Sequence, residues 1–114
     1  MKTLIQAPIL VLAIALFSCN PEPKTVAKNF SENLSKGKTE KAKKYATEAT
    51  GNMIDMALGL GLGNYIDPDF KFKPIKDSIA NNQAWVTFKD SSKEKSENQI
   101  IRLIRIDGKW LVQM

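Results

Sequence analysis

The chain has 114 residues, of which 43% are hydrophobic and 25% are charged, and it contains 6 glycines and 5 prolines. These proportions are typical of one folded globular domain and exclude a disordered or collagen-like chain. Lys and Arg (17) outnumber Asp and Glu (12), so the formal charge is +5, and histidine is absent. Catalysis or metal binding that depends on imidazole is therefore excluded.

The first eighteen residues have the pattern of a secretory signal peptide. Lys2 is their single charge, and an apolar run over residues 7–17 ends at the small residue Ser18. This run is shorter than the ~20 residues that a membrane-spanning helix needs. We therefore predict that residues 1–18 are cleaved during export.

Cys19, the chain's only cysteine, directly follows this segment. Leu16, Ser18 and Cys19 resemble the lipobox of bacterial lipoproteins, with an aliphatic residue three positions before the cysteine and a small residue just before it. Phe17 departs from the pattern. The resemblance implies a diacylglyceryl group on Cys19 and, in many bacteria, a further acyl chain such as palmitate on the new amino terminus, which together anchor a protein stably. The alternative is that Cys19 is a buried free thiol of the core.

Residues 19–24 are predicted to form a short lipidated tether, which is rich in proline and therefore stiff. Only Glu22 is acidic among the five residues after Cys19. We take this as the absence of an acidic signal for surface export, and we predict a lipid-anchored envelope protein that faces the periplasm.

The basic surplus does not predict a nucleic-acid partner, because an exported domain does not meet nucleic acid. Lysines cluster at positions 36, 38, 41, 43 and 44. They could contact anionic lipid headgroups near the tether, or they could simply be a solvated helix face. Without a second cysteine, no intramolecular disulfide can form, so the domain depends on its core.

Residues 25–114 are predicted to be a single α+β domain that begins with helices. Val26, Phe30 and Leu34 recur every four residues, which predicts an amphipathic helix that ends at Gly37. A second helix is predicted from a cap at Thr39 to a stop at Gly51. Its buried face would contain Ala42, Tyr45, Ala46 and Ala49, with an ion pair between Glu40 and Lys44.

A third helix is predicted to start at Met53 and to fray toward residue 62, because Gly59, Gly61 and Gly63 disfavour helix. These glycines do not form a phosphate-binding loop, since no Lys-Ser or Lys-Thr pair follows them.

The second half of the chain alternates as β-strands do. Strands are predicted over residues 70–79, 84–89, 100–106 and 109–114, with Pro74 marking an edge strand or a bulge. Arg102 and Arg105 are expected on opposite faces, and Asp107-Gly108 predicts a tight hairpin. The prediction is a meander of about four antiparallel strands with one face covered by the helices.

This pattern resembles a family of small bacterial lipoproteins with a lumazine-binding-like domain of the nuclear transport factor two-like, cystatin-like superfamily. The residues that carry the resemblance are Val26 to Phe30, Leu34, Gly37, Glu40 to Thr47 and Asp107 to Val112. The resemblance implies a cystatin-like cone, in which a curved antiparallel sheet wraps around helices. It also implies a possible homodimer, since sheets in the superfamily often pair. The superfamily includes ketosteroid isomerases, dehydratases and non-catalytic modules, but no catalytic motif of those enzymes is matched here.

The candidate ligand pocket consists of aromatic residues that the cone would bring together. Trp85 and Trp110 could form a floor for a flat ligand, and the other two members are Phe30 and Tyr45. For each, ordinary core packing is the alternative interpretation. Asp67 and Asp69 lie in one loop but lack the six or more oxygens that calcium needs, so no metal and no cofactor is predicted.

Three functions remain open. The first is a non-catalytic envelope lipoprotein that binds a small hydrophobic ligand or a protein partner. The second is a purely structural or protein-partner role, marked by an exposed apolar patch on the sheet. The third is an isomerase-type or lyase-type enzyme in which Asp55 is a buried general base beside Tyr45 or Tyr65, and this function requires Asp55 to face a cavity.

Overall fold

The computed structural model describes residues 20–61 and 66–114. The predictions for the signal peptide, Cys19 and Tyr65 lie outside these residues. The described chain forms three helices, α1 (Pro23–Ser35), α2 (Thr39–Lys43) and α3 (Glu48–Gly59), and then four strands, β1 (Phe72–Ala80), β2 (Gln83–Asp90), β3 (Gln99–Ile106) and β4 (Lys109–Val112). The strands form one antiparallel sheet in the order β1-β2-β3-β4, which confirms the predicted α+β fold class and meander. No helix in these ranges has the length and apolar character that crossing a bilayer requires.

Helix α1 forms as its sequence pattern predicts. Pro23 is its first residue, where the missing N–H of proline costs nothing, and Val26 and Phe30 face the core. The helix is followed by Gly37, whose φ of +77° provides the left-handed conformation that ends many helices.

The second helix is much shorter than predicted, and this part of the prediction is wrong. It stops at Lys43, because Tyr45 and Thr47 use their backbone groups to pair with β4. The Val112 N–H donates to the Tyr45 carbonyl at 2.8 Å, and the Thr47 N–H donates to the Val112 carbonyl at 3.0 Å. Ala46 thus forms an isolated parallel bridge to Val112.

Two predicted helix ends also move. Thr39 is the first residue of α2 and does not cap it, since Lys38 occupies the cap position. Gly51, the predicted stop, lies inside α3, which begins at Glu48 instead of Met53. Thr47 provides the cap, since its side chain accepts a hydrogen bond from the Thr50 N–H.

The sheet follows the predicted turns and faces. Edge strand β1 shifts register between Pro74 and Lys76, which confirms the predicted irregularity at the proline. Asp107 and Gly108 both have positive φ values (51° and 79°), as a type I′ hairpin turn requires.

The core lies between α1 and one face of the sheet, which we call the inner face. Alternate residues of β2 point to it, and Leu103 of β3 and Val112 of β4 complete it. Helix α1 packs on all four strands, α2 packs on α1, and α3 packs on α2. The buried apolar residues are Val26, Ala27, Phe30, Ala42, Ala46, Ile54, Phe72, Ala84, Val86, Phe88, Leu103, Trp110 and Val112.

Candidate functional site: an apolar groove between the first helix and the sheet

A groove of about 220 Å³ opens between the C-terminal half of α1 and the inner face of the sheet, where β3 begins. Phe30 and Leu34 are one turn apart on α1 and form one wall, and Ile101 of β3 contributes to the opposite wall. The full lining consists of Phe30, Ser31, Leu34, Ser35, Phe70, Phe88, Gln99, Ile100, Ile101 and Met114.

An aromatic cluster centred on Phe88 lies at this groove. Phe72 stacks on Phe88 with ring centroids 4.8 Å apart and planes at 20°. Phe70 meets Phe88 edge to face, with centroids 6.4 Å apart and planes at 82°. Such aromatic pairs contribute about 0.5–1.5 kcal/mol beyond their burial, so this part of the groove is pre-formed.

Two threonines, Thr47 and Thr50, hold Met114 beside the groove by hydrogen bonds. The Met114 N–H donates to the Thr50 hydroxyl oxygen at 3.0 Å, and the Thr47 hydroxyl donates to the same oxygen at 2.9 Å. Thr50 is fully buried. The N-terminus of α3 therefore holds Met114 in place beside the groove.

The lining side chains of the groove offer apolar contact and hydrogen bonding, and none of them is an acid or a base. Its polar lining side chains are those of Ser31, Ser35 and Gln99, none of which titrates near neutral pH. An arrangement of this kind can bury an aliphatic or aromatic group and orient it by a few hydrogen bonds. Proton transfer has no candidate residue among the lining side chains.

The structure does not bring the four predicted pocket residues together. Phe30 lines the groove, but Tyr45 lies after α2 and packs partly buried against the core. Trp85 pairs with Arg102 across the sheet, and Trp110 pairs with Arg105.

Those pairings place Trp85 and Trp110 on opposite faces of the sheet, which contradicts the predicted aromatic floor. Trp110 is buried on the inner face, with the Arg105 guanidinium 4.9 Å from its ring centroid. Trp85 lies on the outer face, beside Thr87 and Ile100. The same pairings confirm the prediction that Arg102 and Arg105 lie on opposite faces of the sheet.

The outer face carries apolar side chains that no described element covers. Ile100 is exposed there, Trp85 is half-buried, and Ile104 and Leu111 are partly buried on the same face. A surface of this kind is the marker expected for a protein-partner role.

Asp55 is not the buried base that the enzyme hypothesis requires. Its side chain is 49% exposed, and both of its carboxylate oxygens accept hydrogen bonds from Lys43 Nζ, at 2.9 and 3.0 Å. These bonds, and a weaker one to Glu40, raise the pKa of Lys43 above its usual value. Glu40 pairs with Lys43 at 3.3 Å instead of the predicted Lys44.

The two loop carboxylates that the sequence offered as metal ligands, Asp67 and Asp69, form no metal site within the described part of the chain. Asp67 pairs with Lys93 at 3.0 Å, and its other oxygen accepts a hydrogen bond from the Asp69 N–H at 3.2 Å. Over residues 20–61 and 66–114, no group of three or more acidic or cysteine side chains could hold a metal ion. Lys36, Lys38, Lys41 and Lys44 are exposed, while Lys43 is committed to its two acids.

Sequence reasoning missed most of the groove. Leu34, Phe88 and Ile101 carried a signal, since their periodicity marks them as facing the core, but periodicity does not say where a core opens. Phe70 and Met114 were predicted as the first and last residues of two strands, but β1 begins at Phe72 and β4 ends at Val112. Both residues therefore lie outside the regular elements and join the groove through tertiary contacts.

No protein-family model and no curated protein matches the chain. Among solved structures, the chain is similar to an NTF-2-like protein of unknown function from Shewanella oneidensis MR-1. The two share 14% sequence identity with a TM-score of 0.49, over 77% of this chain and 88% of the Shewanella chain. A likeness of this degree carries no conclusion about activity or ligand.

Proposed function

We propose that this protein is a non-catalytic envelope lipoprotein whose domain binds an apolar segment of a protein partner in the groove beside α1. The observation that carries the proposal is the groove itself, an open and largely apolar recess without a titratable lining side chain. Cys19 provides the lipid anchor in this proposal, by the resemblance of residues 16–19 to a lipobox.

The size of the groove favours a protein segment over a small-molecule ligand. Pockets that enclose a whole small molecule measure roughly 300–1,000 Å³, whereas this one measures about 220 Å³. It is also open to solvent instead of enclosed, and Ser31, Ser35 and Gln99 are its polar lining residues. A recess of this size and shape suits one or two apolar side chains of a longer chain.

The polar rim supports the same conclusion. Ser31, Ser35 and Gln99 can hydrogen-bond to the backbone of a bound segment while its side chains lie on Phe30, Phe88 and Ile101. Interfaces in general combine an apolar centre with a polar rim.

The test is site-specific photocrosslinking in cells that produce the full-length protein. A photoreactive phenylalanine derivative at Ser35 reports on the groove, and the same residue at Ser78, which lies on the outer face, is the matched control. We expect a light-dependent adduct of protein size from position 35 and not from position 78. We expect Met114→Asp to abolish it, since a charge at the exposed Met114 side chain opposes apolar binding.

The mass of the adduct separates the possible outcomes. A protein-sized adduct that Met114→Asp removes supports the proposal. An adduct of small-molecule mass would show that the groove takes a small hydrophobic ligand instead. No adduct, or the same adducts from both positions, would contradict a binding function for the groove.

A further inference from the structure

The described chain begins beside the β3–β4 hairpin. Asn20 and Pro21 border one recess together with Gly108 and Trp110. A Cβ atom on Gly108 would lie only 3.6 Å from the Asn20 side-chain nitrogen. Pro23 is buried. The chain therefore runs beside the hairpin from Asn20 to the start of α1 at Pro23, with residues 20–22 exposed.

The β1–β2 turn lies at the same end of the molecule. Arg105 joins the two turns, since its Nη2 donates to the Asn81 carbonyl at 3.1 Å and its Nε donates to Asn82 Oδ1 at 3.2 Å. The Arg105 N–H also donates to the Asn82 carbonyl at 2.8 Å. We call this surface the turn end, which comprises residues 20–24, 79–83 and 105–109.

The groove lies at the other end. Helix α1 starts at the turn end and has 13 residues, which corresponds to about 20 Å of length at 1.5 Å per residue. Leu34 and Ser35, near its last turn, line the groove. Strand β3 runs between the same two ends, from Gln99 at the groove to Ile106 beside the hairpin turn.

We propose that the turn end rests on the surface of the phospholipid bilayer that holds the anchor, so that the groove opens away from the membrane. This inference rests on the lipidation of Cys19 in the proposed function. Cys19 is bonded directly to Asn20, so the acyl chains are attached within one residue of the turn end. Because α1 begins at Pro23, only three residues (20–22) lie between Cys19 and the helix, and this short connection limits how far the domain can turn on its anchor.

The side chains of the turn end suit a lipid surface. Ile79 and Ile106 are 55% and 44% exposed, an exposure that contact with the acyl–headgroup boundary would reduce. Lys24 and Lys109 are exposed and can meet lipid phosphates. Glu22 and Asp107 lie among them and offset part of this charge, so the anchor and the isoleucines, and not net charge, carry the contact.

This orientation specifies where the partner comes from. A groove whose α1 residues, Phe30 to Ser35, lie about 10–20 Å along the helix from the turn end is open to proteins in the aqueous compartment and out of reach of lipids of the supporting membrane. The partner's apolar segment must therefore be presented from solution or from an opposing surface.

Fluorescence quenching in liposomes tests the orientation with the full-length, lipidated protein. A single added cysteine carries the fluorophore, since the Cys19 sulfur is blocked by lipid, and the bilayer contains lipids with a quencher on the headgroup. Lys109→Cys places the label at the turn end and Gln99→Cys places it at the groove, both at exposed positions. We expect loss of fluorescence at position 109 and unchanged fluorescence at position 99.

A second pair of variants and a mass measurement make the outcome decisive. Lys24→Cys and Ser35→Cys should repeat the contrast, which guards against one variant failing to fold. A Gly-Ser insertion between Asn20 and Pro21 should keep the anchor and reduce the loss of fluorescence at position 109. Equal quenching at both ends, with acyl chains present by intact mass, would overturn the orientation alone. Absence of acyl chains on Cys19 would instead overturn the anchor in the proposed function.

Discussion

Asp90, at the end of β2, is a carboxylate that is only 5% exposed. Its Oδ1 accepts hydrogen bonds from the Lys71 N–H at 3.1 Å, the Ser92 N–H at 2.9 Å and the Ser92 hydroxyl at 2.6 Å. Burial by itself raises the pKa of Asp90, but these hydrogen bonds and the Lys93 charge lower it by more, so the net pKa lies below the usual value. This one side chain therefore joins the start of β1 to the loop after β2.

Removing the Asp90 carboxylate should destabilise the domain. We expect Asp90→Ala to lower the free energy of unfolding by about 1.5–3 kcal/mol, since hydrogen bonds to a charged acceptor contribute roughly that much. Asp90→Asn is the matched control, because it keeps one acceptor oxygen and replaces the other oxygen, with the charge, by an NH2 group, so its cost should be smaller. Urea unfolding followed by circular dichroism measures both. Equal stability of Asp90→Ala and the unchanged protein would contradict this role.

The same carboxylate should make stability depend on acid. Because its folded pKa lies below its unfolded pKa, its contribution is complete above the unfolded value of about 3.9 and is lost as pH falls through the folded value. We expect Tm to fall below about pH 4 and to fall less in Asp90→Asn. Thermal scans of both proteins across this range check the sign. An identical acid dependence would show that other groups are responsible.

Asp55 should affect only its immediate partner. Asp55→Asn removes the negative charge and one of the two oxygens that accept hydrogen bonds from Lys43, so the pKa of Lys43 should fall toward its usual value. NMR titration of the Lys43 side chain measures the change. The photocrosslink from position 35 should be unaffected, since Asp55 does not line the groove. Loss of the crosslink in Asp55→Asn, with the fold intact, would restore a functional role for this acid.

At the level of elements, the segment between α2 and α3 decides how the helices are divided. Residues 39–50 have the apolar spacing of one continuous helix, yet the backbone of Tyr45 and Thr47 pairs with Val112 instead. This pairing completes the edge of β4 and lets Thr47 start a new helix. Helical spacing alone cannot reveal this, because the competing hydrogen bonds come from residues more than sixty positions away.

The helix cap at Thr47 should contribute more to stability than Thr39, which the sequence predicted as a cap. Thr47→Ala removes the acceptor for the Thr50 N–H, at 3.2 Å, and should destabilise the protein by about 1 kcal/mol. Thr39→Ala is the matched control, because Thr39 makes no capping hydrogen bond and should change stability little. Chemical unfolding of the two variants distinguishes them. A larger loss from Thr39→Ala would contradict the observed division into α2 and α3.

For the whole molecule, α3 is the least integrated helix. Its buried face is formed by Thr50, Gly51 and Ile54, whereas Met53, Met56 and Leu60 beside it are exposed. Helix α1, by contrast, packs on every strand. The free energy of locally unfolding α3 is therefore smaller than the free energy of separating α1 from the sheet.

Hydrogen–deuterium exchange should show this difference directly. We expect amides in the second half of α3 to exchange well before those of α1 and of the central strands β2 and β3, because few apolar contacts oppose local opening. Mass spectrometry of peptic fragments resolves these elements. Protection of α3 equal to that of β3 would mean that its exposed methionines are covered in solution.

The sequence by itself determined where α1, the strands and the tight turns form, because the signals for these features are local. Period-four spacing located α1, Gly37 ended it, Pro74 marked an irregular edge strand, and Asp107-Gly108 specified a type I′ turn. The alternation of β3 placed Arg102 and Arg105 on opposite faces. Each of these features depends on backbone conformation or side-chain direction within a few residues, which the local sequence controls.

The tertiary structure alone decided where the groove lies and which residues share it. Trp85 and Trp110 were grouped by residue type, but strand register sends them to opposite faces, since a shift of one residue reverses a side chain. Phe70 and Met114 reach the groove through contacts between distant parts of the chain. The break of the second helix has the same origin, because pairing with Val112 outweighs local helix propensity when a strand needs a partner.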